Sequence, residues 1–134
     1  TYDMMAAYWP TPLAKQNNPI VAEGMNRMPK VVFSRTMDRS AWSNTTVVKG
    51  DLAKAIADLK NTPGDDMAIL GSGSIVAQLT SAGLIDEYQI VVCPIILGRG
   101  RTLFEGVQKR LDLKLTKSRT FRNGKVFLCY ERGA

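Results

Sequence analysis

The residues best suited to chemistry lie in two glycine-containing segments, and the chain has no histidine. The first segment, Gly71-Ser72-Gly73-Ser74, separates an apolar run from the start of an amphipathic one. A strand-to-helix turn of this kind favours an anion, because its backbone N–H groups are free and the positive end of the helix dipole lies there. The serine hydroxyls add donors. The turn is therefore either a phosphate-binding loop or a tight connection.

Two better-known phosphate motifs do not fit this turn. A dinucleotide fingerprint requires Gly or Ala at position 76 and an acidic residue near position 91, where this chain has Val76 and Val91. A P-loop is longer and contains Gly-Lys-Ser/Thr, which does not follow here. The residues alone leave both interpretations of the turn open.

The second segment is Leu97-Gly98-Arg99-Gly100-Arg101, which follows an apolar run. A loop that reverses the chain direction would account for it. Alternatively, Arg99 and Arg101 bind an anionic substrate, because a guanidinium meets a phosphate with two parallel hydrogen bonds.

Several classes of chemistry are excluded by composition. Without histidine there is no Ser-His-Asp or Cys-His catalysis and no histidine-ligated zinc, and we expect no metal site. Cys93 and Cys129 lie in apolar, strand-like runs, which favours buried, unreactive thiols and a cytoplasmic setting. The longest apolar run, Ile90 to Leu97, is far shorter than the ~20 residues of a membrane helix, so we expect no membrane partner.

Length and charge indicate one soluble globular domain of 134 residues, 45% hydrophobic and 22% charged. Residues 1–98 carry 8 basic and 9 acidic side chains, whereas residues 99–134 carry 10 and 3. This basic third is typical of the solvated face of a two-stranded ribbon. An anionic small ligand is the second interpretation and nucleic acid the third, and an aromatic content of only 7% argues against nucleic acid.

The elements that must position these segments follow from apolar periodicity and turn signals. Helices are predicted at residues 2–9, from the N-cap Asp51 to Leu59, and from the glycine turn to the C-cap Gly83. Strands are predicted at Lys30–Arg35, Thr46–Lys49, Met67–Leu70 and Glu87–Pro94, with a final hairpin turning at Asn123-Gly124. Residues 11–29, which contain several prolines, are predicted to form a loop. Strands separated by helices imply parallel pairing, so the fold class is α/β with an antiparallel hairpin at its end.

Four segments in order carry a family resemblance: Phe33-Ser34-Arg35-Thr36, Gly71-Ser72-Gly73-Ser74-Ile75-Val76, Ala82-Gly83-Leu84-Ile85-Asp86-Glu87-Tyr88 and Pro94-Ile95-Ile96-Leu97-Gly98-Arg99-Gly100-Arg101-Thr102-Leu103-Phe104. Together they closely resemble the dihydrofolate-reductase-like family typified by the reductase domain of the bifunctional riboflavin-biosynthesis deaminase/reductase, from Thr1 to about Glu131. The resemblance implies a single domain over residues 1–134, a three-layer α/β/α fold around a mixed, mostly parallel sheet. It also implies that the first strand of the family and the substrate-binding loop after it are absent from this sequence.

The resemblance further implies an NADPH-dependent reductase and commonly a homodimer. The leading substrate is 5-amino-6-(5-phosphoribosylamino)uracil of riboflavin biosynthesis, followed by dihydrofolate or another pterin. Residues matched to the cofactor site are Thr1, Ser34, Arg35, Thr36, Gly71, Ser72, Gly73, Ser74 and Ile75. Of these, residues 34–36 would hold the adenosine 2′-phosphate, and the glycine turn would hold the pyrophosphate. Thr1 would also contact a phosphate of the cofactor. Arg99 and Arg101 would suit a substrate phosphate, and no residue is assigned as the catalytic acid. The alternative is a non-catalytic nucleotide- or nucleic-acid-binding module.

Overall fold

The structure, a computed structural model, describes residues 1–133. The chain divides into two units, Thr1–Thr62 and Pro63–Ala134, each with its own sheet.

The first unit contains four helices and a two-stranded sheet. In chain order these are α1 (Tyr2–Tyr8), α2 (Pro12–Asn17), α3 (Pro19–Arg27), β1 (Lys30–Phe33), β2 (Thr45–Val48) and α4 (Leu52–Lys60). Strands β1 and β2 run parallel, from the pair Lys30 and Thr45 to the pair Phe33 and Val48. Helix α4 begins as predicted, because the Asp51 carboxylate accepts a hydrogen bond from the Lys54 N–H at 2.9 Å.

Helices α2 and α3 occupy the segment predicted to be a loop, so that prediction was wrong. The reason is the position of the prolines: Pro12 and Pro19 are the first residues of their helices, where no backbone N–H is needed and a fixed φ favours the helix. The Thr11 hydroxyl caps α2 by accepting from the Ala14 N–H at 3.2 Å. The prolines therefore start helices here instead of interrupting them.

A polar network joins the end of α3 to the sheet of this unit. The Trp42 indole is 7% exposed and donates to Asn26 Oδ1 at 2.8 Å. Asn26 Nδ2 in turn donates to the Trp9 carbonyl at 2.9 Å. The Lys30 ammonium donates to the Met28 carbonyl at 2.8 Å and lies 4.5 Å from the centre of the Trp42 ring, and its partial burial lowers the pKa of Lys30. These bonds fix the residues that lead into β1.

The second unit contains one helix and a three-stranded antiparallel sheet. Its elements are α5 (Gly73–Ser81), β3 (Glu87–Val92), β4 (Leu113–Thr120) and β5 (Val126–Arg132), with the strand order β3-β5-β4. The predicted hairpin is confirmed: β4 and β5 are joined by a turn in which Gly124 has φ of 84° and the Phe121 N–H donates to the Lys125 carbonyl at 2.8 Å.

Helix α5 is anchored on this sheet through its last turn. Gly83 has φ of 69°, and the N–H groups of Gly83 and Leu84 return to the carbonyls of Thr80 and Leu79 at 3.0 Å. This is the Schellman arrangement that a glycine C-cap provides. The Tyr88 hydroxyl of β3 donates to the Thr80 hydroxyl at 3.1 Å, and Leu79 is 1% exposed. The start of α5, which carries the glycine turn, is thereby held at a defined place in the unit.

Three expectations about the strands and the cysteines need correction. Residues 67–70 form no strand within the described part of the chain, and Met67 and Leu70 are both 54% exposed, because no neighbouring strand supplies a hydrogen-bonding ladder. A mostly parallel sheet was expected, but among the described strands only β1 and β2 pair in parallel. Strand β5 returns through a hairpin and pairs antiparallel with both β3 and β4. Cys93 is exposed because it follows the end of β3, whereas Cys129, in the central strand, is buried as predicted.

Within residues 1–133, no helix combines the length and the apolar character required to cross a bilayer.

Candidate functional site

The first candidate segment, Ser34-Arg35-Thr36, lies at the carboxyl end of the parallel pair in the first unit. The Ser34 N–H donates to the Val48 carbonyl at 3.2 Å, which extends the ladder by one bond beyond β1. The Ser34 hydroxyl then accepts from the N–H groups of Thr36 at 3.3 Å and Met37 at 3.0 Å, so the chain turns sharply. Ligands of α/β proteins bind at the carboxyl ends of parallel strands, so this edge is a suitable place for a ligand.

The side chains on this turn suit a phosphate group. Arg35 and Thr36 are exposed, and among residues 1–133 Arg35 forms no ion pair. A free guanidinium and a neighbouring hydroxyl supply the donors that a phosphate monoester accepts. The residues present therefore fit the 2′-phosphate of NADPH.

A cation that the sequence did not reveal lies at the same turn. Lys49 directly follows β2, and its ammonium pairs with the carboxylate of Asp38, two residues after Thr36. In the sequence Lys49 is only the last residue of the predicted strand Thr46–Lys49, and its position becomes informative once β1 and β2 are known to be parallel neighbours.

Thr1 occupies the N-cap position of α1, where its carbonyl accepts from the Met5 N–H at 3.2 Å and its side chain makes no capping bond. The Tyr2 hydroxyl contacts the Ser40 hydroxyl, and the rings of Tyr2 and Trp42 lie 6.2 Å apart. The structure thus brings the start of α1 to the loop that leads from Ser34-Arg35-Thr36 to β2. Thr1 itself is exposed.

The second candidate segment is the glycine turn of the second unit, residues 71–74. Gly71 has φ of 120°, a conformation that other residues rarely adopt, and the Gly71–Ser72 peptide is cis. Ser72 is the N-cap of α5, and its side chain does not cap the helix. The Ser72 and Ser74 hydroxyls lie 2.7 Å apart. Since the first N–H groups of a helix have no intrahelical partner, those of Gly73, Ser74 and Ile75 are available to an anion. The donors present fit a pyrophosphate.

The arginine loop, residues 97–101, belongs to the same unit as this turn. A Cβ built on Gly73 would lie 3.8 Å from the Leu103 carbonyl oxygen, so the chain just after the arginines passes beside the start of α5. The Phe104 ring packs edge-on against Tyr88 with 5.9 Å between ring centres, which holds this passage in place. Arg99 and Arg101 are exposed and, in the described residues, form no ion pair. The chain two residues beyond Arg101 therefore passes beside the glycine turn.

The candidate segments, residues 34–36, 71–75 and 97–101, contain no acidic side chain that could donate a proton. The acidic residues nearest in sequence to the end of α5 are Asp86 and Glu87. The Glu87 carboxylate accepts from Gln89 Nε2 at 2.6 Å, and hydrogen bonds from Gln89 and from the Cys129 thiol lower its pKa, so Glu87 is ionised at neutral pH. Asp86 lies 4.0 Å from the Arg132 guanidinium. Asp86 directly precedes β3, Glu87 is the first residue of that strand, and both side chains are exposed. Over residues 1–133 no three His, Cys, Asp or Glu side chains form a group that could hold a metal ion.

Comparison with known proteins gives a consistent family match. The family model for the RibD C-terminal domain matches residues 1–127. Two proteins of Bacillus subtilis (strain 168), both described as uncharacterized, are similar in sequence. YyaP is 33% identical over 101 residues, which are 75% of this chain and 53% of YyaP. YwjB is 28% identical over 90 residues, which are 67% of this chain and 52% of YwjB. The chain thus spans about half the length of the curated relatives it matches.

Two solved structures are similar in fold. A protein named for riboflavin biosynthesis from Shewanella sp. PV-4 has a TM-score of 0.71 and 29% identity, over 81% of this chain and 62% of that protein. A pyrimidine reductase-like protein from Corynebacterium diphtheriae has a TM-score of 0.58 and 19% identity, over 78% of this chain and 49% of that protein. The second likeness concerns the fold alone.

Proposed function

Because the chain belongs to the RibD C-terminal domain family, we propose that it is an NADPH-dependent reductase of a small polar substrate. The Shewanella neighbour is named for riboflavin biosynthesis, which supports a substrate from that pathway. We therefore propose 5-amino-6-(5-phosphoribosylamino)uracil as the leading substrate, with dihydrofolate or another pterin as the second.

The observation that carries the proposal is the glycine turn before α5. Every helix start leaves its first N–H groups without intrahelical partners, and here two paired serine hydroxyls lie beside those groups. At residues 71–75 these donors coincide with a backbone that only glycine adopts readily at position 71. A diphosphate gains hydrogen bonds from the N–H groups and favourable interaction with the helix dipole.

Preference for NADPH over NADH is assigned to Ser34, Arg35 and Thr36. These two cofactors differ only in the 2′-phosphate, so a selective protein must contact that group. The exposed Arg35 guanidinium provides a bidentate partner, and the Ser34 hydroxyl shapes the turn that presents Arg35. Thr1 is proposed as a further contact to cofactor phosphate.

Bound NADPH supplies a hydride, so the work of the protein is to bind, orient and exclude water. Arg99 and Arg101 lie just before Leu103, which passes beside the glycine turn, and are proposed to bind the phosphate of the substrate. With no carboxylate placed as an acid in these segments, water is the proposed proton source. A non-catalytic nucleotide-binding module is the second candidate, favoured by that same lack of a proton donor.

Hydride transfer tests the function directly. The full chain is incubated with NADPH deuterated on its transferred position and with either the riboflavin precursor or dihydrofolate, and the product mass is measured. Deuterium in the reduced riboflavin precursor supports the leading proposal, and deuterium only in tetrahydrofolate supports the second substrate. NADPH binding without transfer to either would indicate the binding module.

We further propose that the chain forms a homodimer in a reducing cytoplasm and belongs to a three-layer α/β/α domain. The fold proposal is supported by the TM-score of 0.71 with the Shewanella protein. Dimer formation is supported by exposed apolar side chains after β3, with Ile95 66%, Ile96 97% and Leu97 73% exposed. Light scattering of the purified chain gives its mass in solution, and a monomer at micromolar concentration would contradict the dimer. Membrane and nucleic-acid partners are not proposed.

A further inference from the structure

The parallel pairing of β1 and β2 brings a second basic residue to the proposed 2′-phosphate site. Phe33 is the register partner of Val48, and the Ser34 N–H still bonds to the Val48 carbonyl. Continued by one residue, this register sets Lys49 beside Ser34, about 4.8 Å away across the ladder. Lys49 therefore leaves β2 at the point where the chain turns into Arg35 and Thr36.

The ion pair of Lys49 shows where its ammonium lies. Its partner, Asp38, is in the loop that the Ser34 hydroxyl turns back through its bonds to Thr36 and Met37. Lys49 thus reaches across to the loop of residues 34–38 instead of extending into solvent. Both side chains are accessible, with 48% of Lys49 and 88% of Asp38 exposed, so a ligand can reach the pair.

We propose that Lys49 is the second cation for the cofactor 2′-phosphate and that Asp38 is the counter-ion this phosphate displaces. The inference rests on the proposed function, because it refines the nucleotide site assigned there. A phosphate monoester carries a charge of about −1.5 to −2 at pH 7, whereas Asp38 carries one negative charge. An exposed ion pair contributes little, so exchange of one anion for the other is favourable when Arg35 binds the same phosphate. Asp38 then makes the site selective for the 2′-phosphate, because anions that bind the Lys49 ammonium more weakly do not displace the Asp38 carboxylate.

Two charged residues that follow Lys49 in the chain, Asp51 and Lys54, have partners within α4. The Asp51 carboxylate is engaged in capping α4 through the Lys54 N–H. Lys54 pairs with Asp58 at 2.9 Å one helical turn farther along α4. Lys54 therefore provides a matched control: an exposed, ion-paired lysine in the same unit that lies outside the turn of residues 34–38.

The test compares NADP⁺ with NAD⁺ by calorimetric titration of the full chain, without any substrate. Lys49→Gln is expected to weaken NADP⁺ binding about fivefold, which is about 1 kcal/mol at 1.4 kcal/mol per tenfold, and to leave NAD⁺ binding unchanged. Asp38→Asn is expected to strengthen NADP⁺ binding about twofold, because a competing carboxylate is removed. Lys54→Gln should change neither affinity. Increasing salt should lower the NADP⁺ preference of the wild type more than that of Lys49→Gln.

The outcomes separate this inference from the function on which it rests. If the wild type prefers NADP⁺ and Lys49→Gln keeps the full preference, the role of Lys49 is refuted while the proposed cofactor stands. If the wild type shows no preference, both the cofactor assignment and the role of Lys49 fail. A purely structural ion pair would give equal losses of stability in Lys49→Gln and Asp38→Asn with unchanged selectivity, which thermal melts of both variants would show.

Discussion

Gly71 and Gly73 stand two residues apart in the glycine turn, and the structure predicts opposite effects of alanine at the two positions. Gly71 has φ of 120°, where an L side chain is strained. Gly73 is the first residue of α5, and a Cβ there would make only an ordinary contact, 3.8 Å from the Leu103 carbonyl oxygen. Gly71→Ala therefore disturbs the backbone, whereas Gly73→Ala fits it.

The magnitudes follow from these two environments. A residue forced into a sparsely populated backbone region costs about 1–3 kcal/mol. Alanine is preferred over glycine within a helix by roughly 0.5–1 kcal/mol. The free energy of unfolding should thus fall by about 1–3 kcal/mol in Gly71→Ala and stay equal or rise slightly in Gly73→Ala. The difference between the variants, about 2 kcal/mol, exceeds the usual error of a denaturation midpoint.

Urea denaturation followed by circular dichroism measures this difference. Tryptophan fluorescence is less suitable, since Trp9 and Trp42 both belong to the first unit. NADPH titration of the same variants adds the functional part: Gly73→Ala should fold normally and bind NADPH less tightly, because its methyl group narrows the approach to the free N–H groups. Equal stability of the two alanine variants, or unchanged NADPH affinity in Gly73→Ala, would refute the reasoning.

Three further predictions concern the polar network around Asn26, the stability of the protein at acid pH, and the arginine loop. Asn26→Ala should lower stability by about 2–3 kcal/mol, because it leaves the buried Trp42 N–H without its acceptor, as well as removing two donor bonds; a loss below ~0.5 kcal/mol in a fluorescence-detected urea titration would contradict this. The pKa of Glu87 is lowered from 4.5, so its stabilisation is present above pH 4.5 and is lost as the pH falls through the folded-state pKa. As the pH is lowered below 4.5, the melting temperature of Glu87→Gln should therefore fall less than that of the wild type. An equal fall in both proteins would exclude a stabilising role of the Glu87 carboxylate. Replacing both Arg99 and Arg101 with alanine should raise KM for a phosphorylated substrate with unchanged NADPH affinity, and unchanged kinetics would remove the pair from the site.

Local signals predicted much of this fold. The Asp51 N-cap and the Asn123-Gly124 turn each act within a few residues and are found where predicted, and Gly83 ends α5 one residue beyond the C-cap Ala82. The helices that begin at Pro12 and Pro19 were not predicted, because proline either ends a helix or begins one, and a neighbouring cap such as Thr11 decides between the two.

The remaining differences depend on partners distant in sequence. An apolar run such as residues 67–70 becomes a strand only when another strand pairs with it, and no local pattern states whether one does. Cys93 was expected to be buried, but β3 ends one residue before it. Lys49 lies 13 residues beyond Thr36, and only the parallel register of β1 and β2 joins them at one edge.

Titration of the purified chain with NADPH and with NADH, read by quenching of Trp9 and Trp42, tests the central claim most directly. The account predicts micromolar NADPH binding, much weaker NADH binding, and a loss of about tenfold or more of NADPH affinity in Arg35→Ala, as expected for hydrogen bonds to a charged group. Arg27→Ala, at the last residue of α3 and before the start of β1, should bind both nucleotides as the wild type does. Binding of neither nucleotide, or equal binding of both with no effect of Arg35→Ala, would contradict it.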